Sequence, residues 1–107
     1  MSVSTLSGNV RGITVVSATV NLGSVAANTS ETETATVPGV KVGDIVLVEK
    51  PTLEAGIVIG TAWVSAADTV SMQVINATGS AVDAASETFR FTVIRREGLE
   101  DATRVID

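Results

Sequence analysis

Apolar and polar residues alternate with a period of two along much of this chain, the spacing of a strand with one covered face. The cleanest case is residues 69–76, where Val70, Met72 and Val74 point one way and Thr69, Ser71 and Gln73 the other. Residues 87–95 repeat it, with Phe89, Phe91 and Val93 on one face, Arg90 and Thr92 on the other, and Ile94 following. Over residues 13–22, Val16, Ala18, Val20 and Leu22 oppose Ser17, Thr19 and Asn21. Ile13 and Val15 break that alternation, which predicts a bulge or a change of cover near Val15-Val16. Residues 31–37 alternate Glu with Thr and read as an exposed strand whose Glu31 and Glu33 discourage edge-to-edge pairing.

Two stretches are apolar on both faces. In residues 57–64, Ile57, Ile59 and Trp63 share one face with Thr61, and Val58, Ala62 and Val64 share the other with Gly60, a residue that marks a bulge or a close backbone approach. The second, residues 37–51, organises the chain. Pro38-Gly39 and Gly43-Asp44 are turn signals, and Ile45-Val46-Leu47-Val48 follows with no polar residue on either pleat face. The pattern predicts a central strand, or one at a subunit contact, with Ile45 and Leu47 under one sheet face. Val46 and Val48 then lie under the other face or against a neighbouring subunit.

Between the strands, residues 23–30 and 51–56 read as a loop and a turn, and 65–68 as one helical turn or a simple connection. Residues 77–86 form a turn-rich crossing with room for a short helical turn. Six to eight short strands at this spacing predict an all-β fold: a single-domain antiparallel β-sandwich, jelly-roll-like, over residues 12–95. An extended N-terminal arm, residues 1–11, carries Val3, Leu6 and Val10 among Ser, Thr, Gly and Asn. After Ile94 the composition turns to mixed charge, giving a C-terminal tail over 96–107. The candidate interaction residues are Val3, Leu6 and Val10 in the arm and Arg95, Arg96, Leu99, Val105 and Ile106 after Ile94, with Leu99, Val105 and Ile106 as apolar anchors.

Composition supports the β reading. Apolar residues make up 45% of the 107, yet Trp63, Phe89 and Phe91 are the only aromatics, so Val, Ala, Ile and Leu supply the bulk. Beside abundant Ser and Thr, these residues suit pleated, half-buried surfaces better than helices. Charged residues reach only 18%, below the usual quarter. So little charge on so apolar a chain is easier to understand if a partner covers part of the surface. The net charge of −5 opposes a phosphate-tracking surface, so nucleic acid is not an expected partner. No membrane contact is expected either, because no apolar run approaches the roughly 20 residues of a spanning helix. The first residues have no basic or apolar signal region, so a soluble, non-secreted protein is expected.

Chemistry is sparse. Without His or Cys, Ser-His-Asp and Cys-His nucleophile arrangements cannot form, and the usual zinc and copper sites are excluded. Asp44, Asp68 and Asp83 sit singly beside turns, with no calcium-loop spacing. Glu31 and Glu33 lie on one strand, whereas a hydrolytic carboxylate pair flanks a cleft from separate elements. Asn28-Thr29-Ser30 and Asn76-Ala77-Thr78 match the glycosylation sequon, a short pattern frequent by chance. Trp63 stands alone, with core packing as its default role. The expectation is a protein that is not an enzyme and takes no cofactor or metal.

Five stretches carry a resemblance: Thr36-Val37-Pro38-Gly39-Val40-Lys41-Val42-Gly43-Asp44, Val46-Leu47-Val48-Glu49-Lys50-Pro51, Trp63-Val64-Ser65-Ala66-Ala67-Asp68-Thr69-Val70, Val74-Ile75-Asn76-Ala77-Thr78-Gly79 and Ser86-Glu87-Thr88-Phe89-Arg90-Phe91-Thr92-Val93-Ile94-Arg95. Together they make the chain resemble the small decoration, cement or head-stabilising proteins of tailed bacteriophages, over about three-fifths of its length. The likeness lies in turns and strand patterning. It implies a virion structural protein made in the bacterial host cytoplasm and seated on the outer surface of the capsid. The implied partners are the major capsid protein and other copies of itself, as a dimer or trimer. The alternative is a receptor- or carbohydrate-binding β-sandwich of a tail fibre or adhesin, or a tail or baseplate component. An exposed Trp63 beside acidic residues favours the sugar-binding alternative.

Overall fold

A computed structural model describes residues 10–96, and every regular element in them is a strand. The strands are β1 (Val10–Val20), β2 (Gly23–Val25), β3 (Thr29–Thr36), β4 (Ile45–Glu49), β5 (Ile57–Ala66), β6 (Thr69–Asn76), β7 (Val82–Ala84) and β8 (Glu87–Arg96). They form two three-stranded antiparallel sheets, β1-β8-β4 and β3-β6-β5, and a short β2-β7 pair. The pairs β1–β8, β2–β7 and β3–β6 nest inside one another like a ribbon folded back on itself. β8 and β6, each the middle strand of its sheet, take β4 and β5 as further neighbours. The sheets hold three, two and three strands, and together they make an antiparallel β-sandwich.

One core fills the space between the sheets. Phe89, Phe91 and Val93 of β8 and Val46 of β4 meet Val70, Met72 and Val74 of β6, with Val20, Leu22, Val25, Ala35, Val37, Val40, Ile57 and Val64 around them. Burying each large side chain contributes about 1.5–3 kcal/mol. The two phenylalanine rings, two residues apart on the same face, stack with centroids 6.2 Å apart. At the seams, β4 lies beside β5 and β1 beside β3.

Several expected features take a different form. β1 starts at Val10, two residues before the expected domain boundary, and its irregularity falls between Val10 and Gly12. From Gly12 to Val20 its register with β8 is unbroken, so there is no bulge at Val15-Val16, and Ile13 and Val15 lie on the exposed outer face. The stretches 23–30 and 77–86 each contain a three-residue strand, β2 and β7. Residues 65–68 are no helical turn: β5 and β6 are joined by the two residues Ala67-Asp68, with Asp68 in the left-handed region at φ 61°. Asp tolerates that conformation better than most residues.

In β5 the register with β6 shifts twice, between Ile59 and Ala62 and between Val64 and Ala66, and the first shift precedes Trp63. That first shift reverses the phase, so that Ile57, Ile59, Ala62 and Val64 point inward while Val58 and Trp63 point outward. β3 corrects the exposed-glutamate reading. Thr32 and Thr34 face solvent, and Glu31 and Glu33, opposite Val74 and Met72, share the inner side at the edge of the sheet. Inward-pointing charge on an edge strand still discourages pairing with another chain. Last, β4 is an edge strand and not a central one. Val46 is buried and Val48 half-buried, but Ile45 and Leu47 are exposed.

Candidate interaction surface

The register of the β8 sheet decides what its outer face carries. Ile13 of β1 and Ile45 of β4 are both opposite Ile94 of β8, so three isoleucines form a row across the sheet. The next outward row is Val15, Thr92 and Leu47. Ile13, Val15, Ile45 and Leu47 are 64%, 59%, 46% and 58% exposed, and Ile94 and Thr92 between them are half-buried by their neighbours. The following row, Ser17, Arg90 and Glu49, is polar. In it Arg90 Nη2 donates to Glu49 Oε2 at 2.8 Å, an exposed pair that neutralises itself. The result is an apolar patch two rows deep and three strands wide, with a polar rim. Its size is on the order of the few hundred Å² at which exposed apolar surface marks an interaction site.

The β6 sheet has a mixed exterior. Its outward rows place Ser30, Ile75 and Val58 together, then Thr32 with Gln73, then Thr34, Ser71 and Trp63. Gln73 Nε2 donates to Ser30 Oγ at 3.1 Å, and Ser71 shares a 2.7 Å hydroxyl bond with Ser65. Trp63 is 42% exposed, with Ser71 and Thr34 as its row neighbours and no carboxylate in its row.

The candidate residues divide among three places. Val10 is half-buried and paired with Arg96 at the start of the β1–β8 ladder. Arg95 and Arg96 end β8 and do not begin a tail. Their guanidinium groups hold the loop between β3 and β4: Arg95 Nε donates to Asp44 Oδ1 at 3.0 Å and Arg95 Nη2 to Asp44 Oδ2 at 2.6 Å. Arg95 Nη2 also donates to the Gly39 carbonyl at 2.8 Å, and Arg96 Nη2 to the Gly43 carbonyl at 3.1 Å. Charge-assisted bonds within the chain thus hold both arginines, which the sequence places among the candidate contact residues. Val3, Leu6, Leu99, Val105 and Ile106 lie outside the described residues.

That end of the sandwich is locked further. Asp44 accepts from Lys41 N at 2.9 Å, and its own N–H returns a bond to the Lys41 carbonyl. The Arg95 bonds hold the Asp44 carboxyl below the usual range although burial opposes this. Gly39, at φ 94°, donates its N–H to Asp68 Oδ1 at 2.7 Å, tying the β5–β6 hairpin to the same loop. Beside this knot, Arg11, Thr14, Val16, Pro38, Val40 and Val93 line an open cavity of about 280 Å³.

At the far end Asn76, almost fully buried, donates through Nδ2 to the Val25 and Ser80 carbonyls, both at 2.9 Å. Its Oδ1 accepts from Thr78 N and Thr78 Oγ1. Of the two sequons, this one is therefore a structural clamp. Among the described residues, no three His, Cys, Asp or Glu side chains converge in a way that could hold a metal ion.

Sequence reading misses the patch as a patch. Its signals are present in the broken alternation at Ile13 and Val15 and in the doubly apolar β4, but nothing in the linear order says that β8 brings the two side by side. The fold and its surface define an all-β module with one apolar and one mixed exterior. Compared with protein-family models, with curated proteins and with solved structures, the chain matches none.

Proposed function

We propose that this protein is a structural binding module, working by buried contact and not by catalysis, and that it decorates the outer surface of a tailed-phage capsid. The observation that carries the reading is the outer face of the β8 sheet, where Ile13, Val15, Ile45 and Leu47 stay in water although the core lies on the other side. A chain that functions alone gains nothing from keeping these aliphatic side chains exposed. On a shell, the mechanism is mechanical: an oligomer bridging neighbouring major capsid protein subunits buries area at seams that internal pressure would open. A contact of standard size, about 1,600 Å² in total, becomes strong when repeated over an array. The resemblance in the turn and strand stretches supplies the capsid as partner.

The test is to mix the purified protein with expanded heads lacking it, then measure co-sedimentation and resistance to heat. Binding with a gain in resistance is expected. Absence of both would reject the reading.

A second reading, a carbohydrate- or receptor-binding sandwich, draws on the exposed Trp63 beside Ser71 and Thr34, without the neighbouring acidic residues that would strengthen it. It predicts glycan binding that Trp63→Ala abolishes, and a glycan array reads it directly.

A further inference from the structure

We infer that the outer face of the β8 sheet is a self-association surface, on which a second copy of this chain packs sheet against sheet through the Ile13–Ile94–Ile45 and Val15–Thr92–Leu47 rows. The inference rests on reading this face as a contact surface and is independent of the capsid.

Shape is the first reason. The patch consists of aliphatic side chains and one Thr on three adjacent strands, with no aromatic residue standing above them. Strands spaced about 4.8 Å apart and side chains of similar height give low relief. Two sheets of the same twist pack face to face at about 10 Å with their strands near −30°. A second copy of the same face supplies that partner geometry without further adaptation, as a two-fold interface requires.

Area is the second reason. With Ser17 and the aliphatic stems of Arg90 and Arg96, such a contact covers on the order of 600–800 Å² per copy, the lower part of the range for specific pairs. Charge is the third. The whole chain carries −5, so two copies repel in general. On this face, however, the Arg90–Glu49 pair cancels internally, and the nearest further charge on the outward side of β8 is the cation Arg96. Approach through this face avoids the repulsion that other orientations carry.

The chain has no Cys, so one introduced thiol reports one position. Thr92 is at the centre of the patch, and a two-fold through the face brings the two Thr92 side chains together whichever way its axis runs. Thr92→Cys is expected to be linked into a dimer by a short bis-maleimide, which spans the roughly 10 Å between packed sheets that a direct disulfide does not, while Thr34→Cys on the other exterior stays monomeric under the same conditions. Sedimentation velocity of the unaltered chain is expected to show a dimer forming between roughly 10 µM and 1 mM. Leu47→Asp, outside the core, is expected to keep the circular dichroism spectrum and to weaken association about tenfold or more.

A chain that stays monomeric throughout, with the Thr92→Cys variant cross-linking no faster than Thr34→Cys, overturns the inference. In that outcome, a thiol at position 92 that is shielded from a small thiol reagent assigns the face to another segment of the same chain. A freely reactive thiol there assigns it to a different protein. Failure of head binding with dimerisation intact rejects the capsid reading alone, and loss of dimerisation with head binding intact rejects this one alone.

Discussion

Arg95 and Asp44, 51 residues apart in sequence, grip each other through two parallel bonds, Nε to Oδ1 at 3.0 Å and Nη2 to Oδ2 at 2.6 Å. The Asp44 side chain has no exposed surface, and Arg95 keeps about a third of its own. Together they fasten the end of β8 to the loop before β4, with the Gly39 carbonyl as a third point. Asp44→Ala removes the acceptor for both Arg95 bonds and for the Lys41 N–H. It is expected to cost about 2–3 kcal/mol, lowering Tm by roughly 10–20 °C in scanning calorimetry. A shift under about 2 °C would show that the pair is ornamental.

Acid is expected to act on this fold in two opposite ways. Burial, with Glu31 beside it, raises the Glu33 carboxyl above its ordinary 4.5. Its favourable contribution is therefore complete below the unfolded value and fades as pH rises through the folded one. Asp44 has a lowered value, so its contribution is present above 3.8 and is lost as pH falls through the folded value. Of these two groups, Asp44 adds stability as pH rises to about 3.8, and Glu33 removes it as pH rises above about 4.5. Thermal melts across pH 2.5–8 should show Glu33→Gln flattening the upper limb and Asp44→Asn the acid limb. A profile unchanged by both substitutions would contradict the assignment.

Gly56 has φ 83°, and a Cβ built on it would run into Thr78 Cγ2. Gly56→Ala is expected to destabilise by about 1–3 kcal/mol through strain and crowding together. Thr78→Ser removes the methyl group but keeps the hydroxyl, whose single hydrogen lies between two acceptors, Asn76 Oδ1 and the Ser80 carbonyl. The double variant should therefore regain part of the loss in a urea melt, the remainder being the backbone strain. No recovery would mean that crowding contributes nothing.

Asn76 supplies the sharpest isosteric test. Its amide donates to two carbonyls, so Asn76→Asp places a buried carboxylate oxygen against the Val25 and Ser80 oxygens. The change should cost more than Asn76→Ala, on the order of 3 kcal/mol or above at neutral pH, with partial relief as the acid protonates. Denaturant midpoints at pH 4 and pH 7 decide it. Equal midpoints for the two variants would refute the clamp.

Much of the core is legible in the sequence because a period of two names it directly. Val70, Met72 and Val74, and Phe89, Phe91 and Val93, are the inner faces of β6 and β8 as their alternation predicts. The misreadings have separate causes. Alternation says which residues share a face, but not which face looks inward. Where Thr alternates with Glu, polarity points the wrong way, and Glu31 and Glu33 lie on the inner side. One inserted residue after Ile59 carries Trp63 from the expected inner row to the outer one. β4 reads as covered on both sides only if every apolar residue in it signals cover. Half of them, Ile45 and Leu47, lie on an exposed outer face. Arg95 gives no local signal at all, since its partner is fixed by topology.

The β1–β8 ladder has a mechanical meaning. Val10 and Arg96 face each other at one end of it, so the chain enters and leaves the described sandwich at neighbouring points. Tension applied through those two points does not shear the ladder as a block. Once the Arg95 clasp beside them gives way, it opens the ladder like a zip, loading one pair of strand hydrogen bonds after another. Force through the broad faces instead compresses the packed core across its full width. A molecule built this way is weak as a tether and strong as a shim.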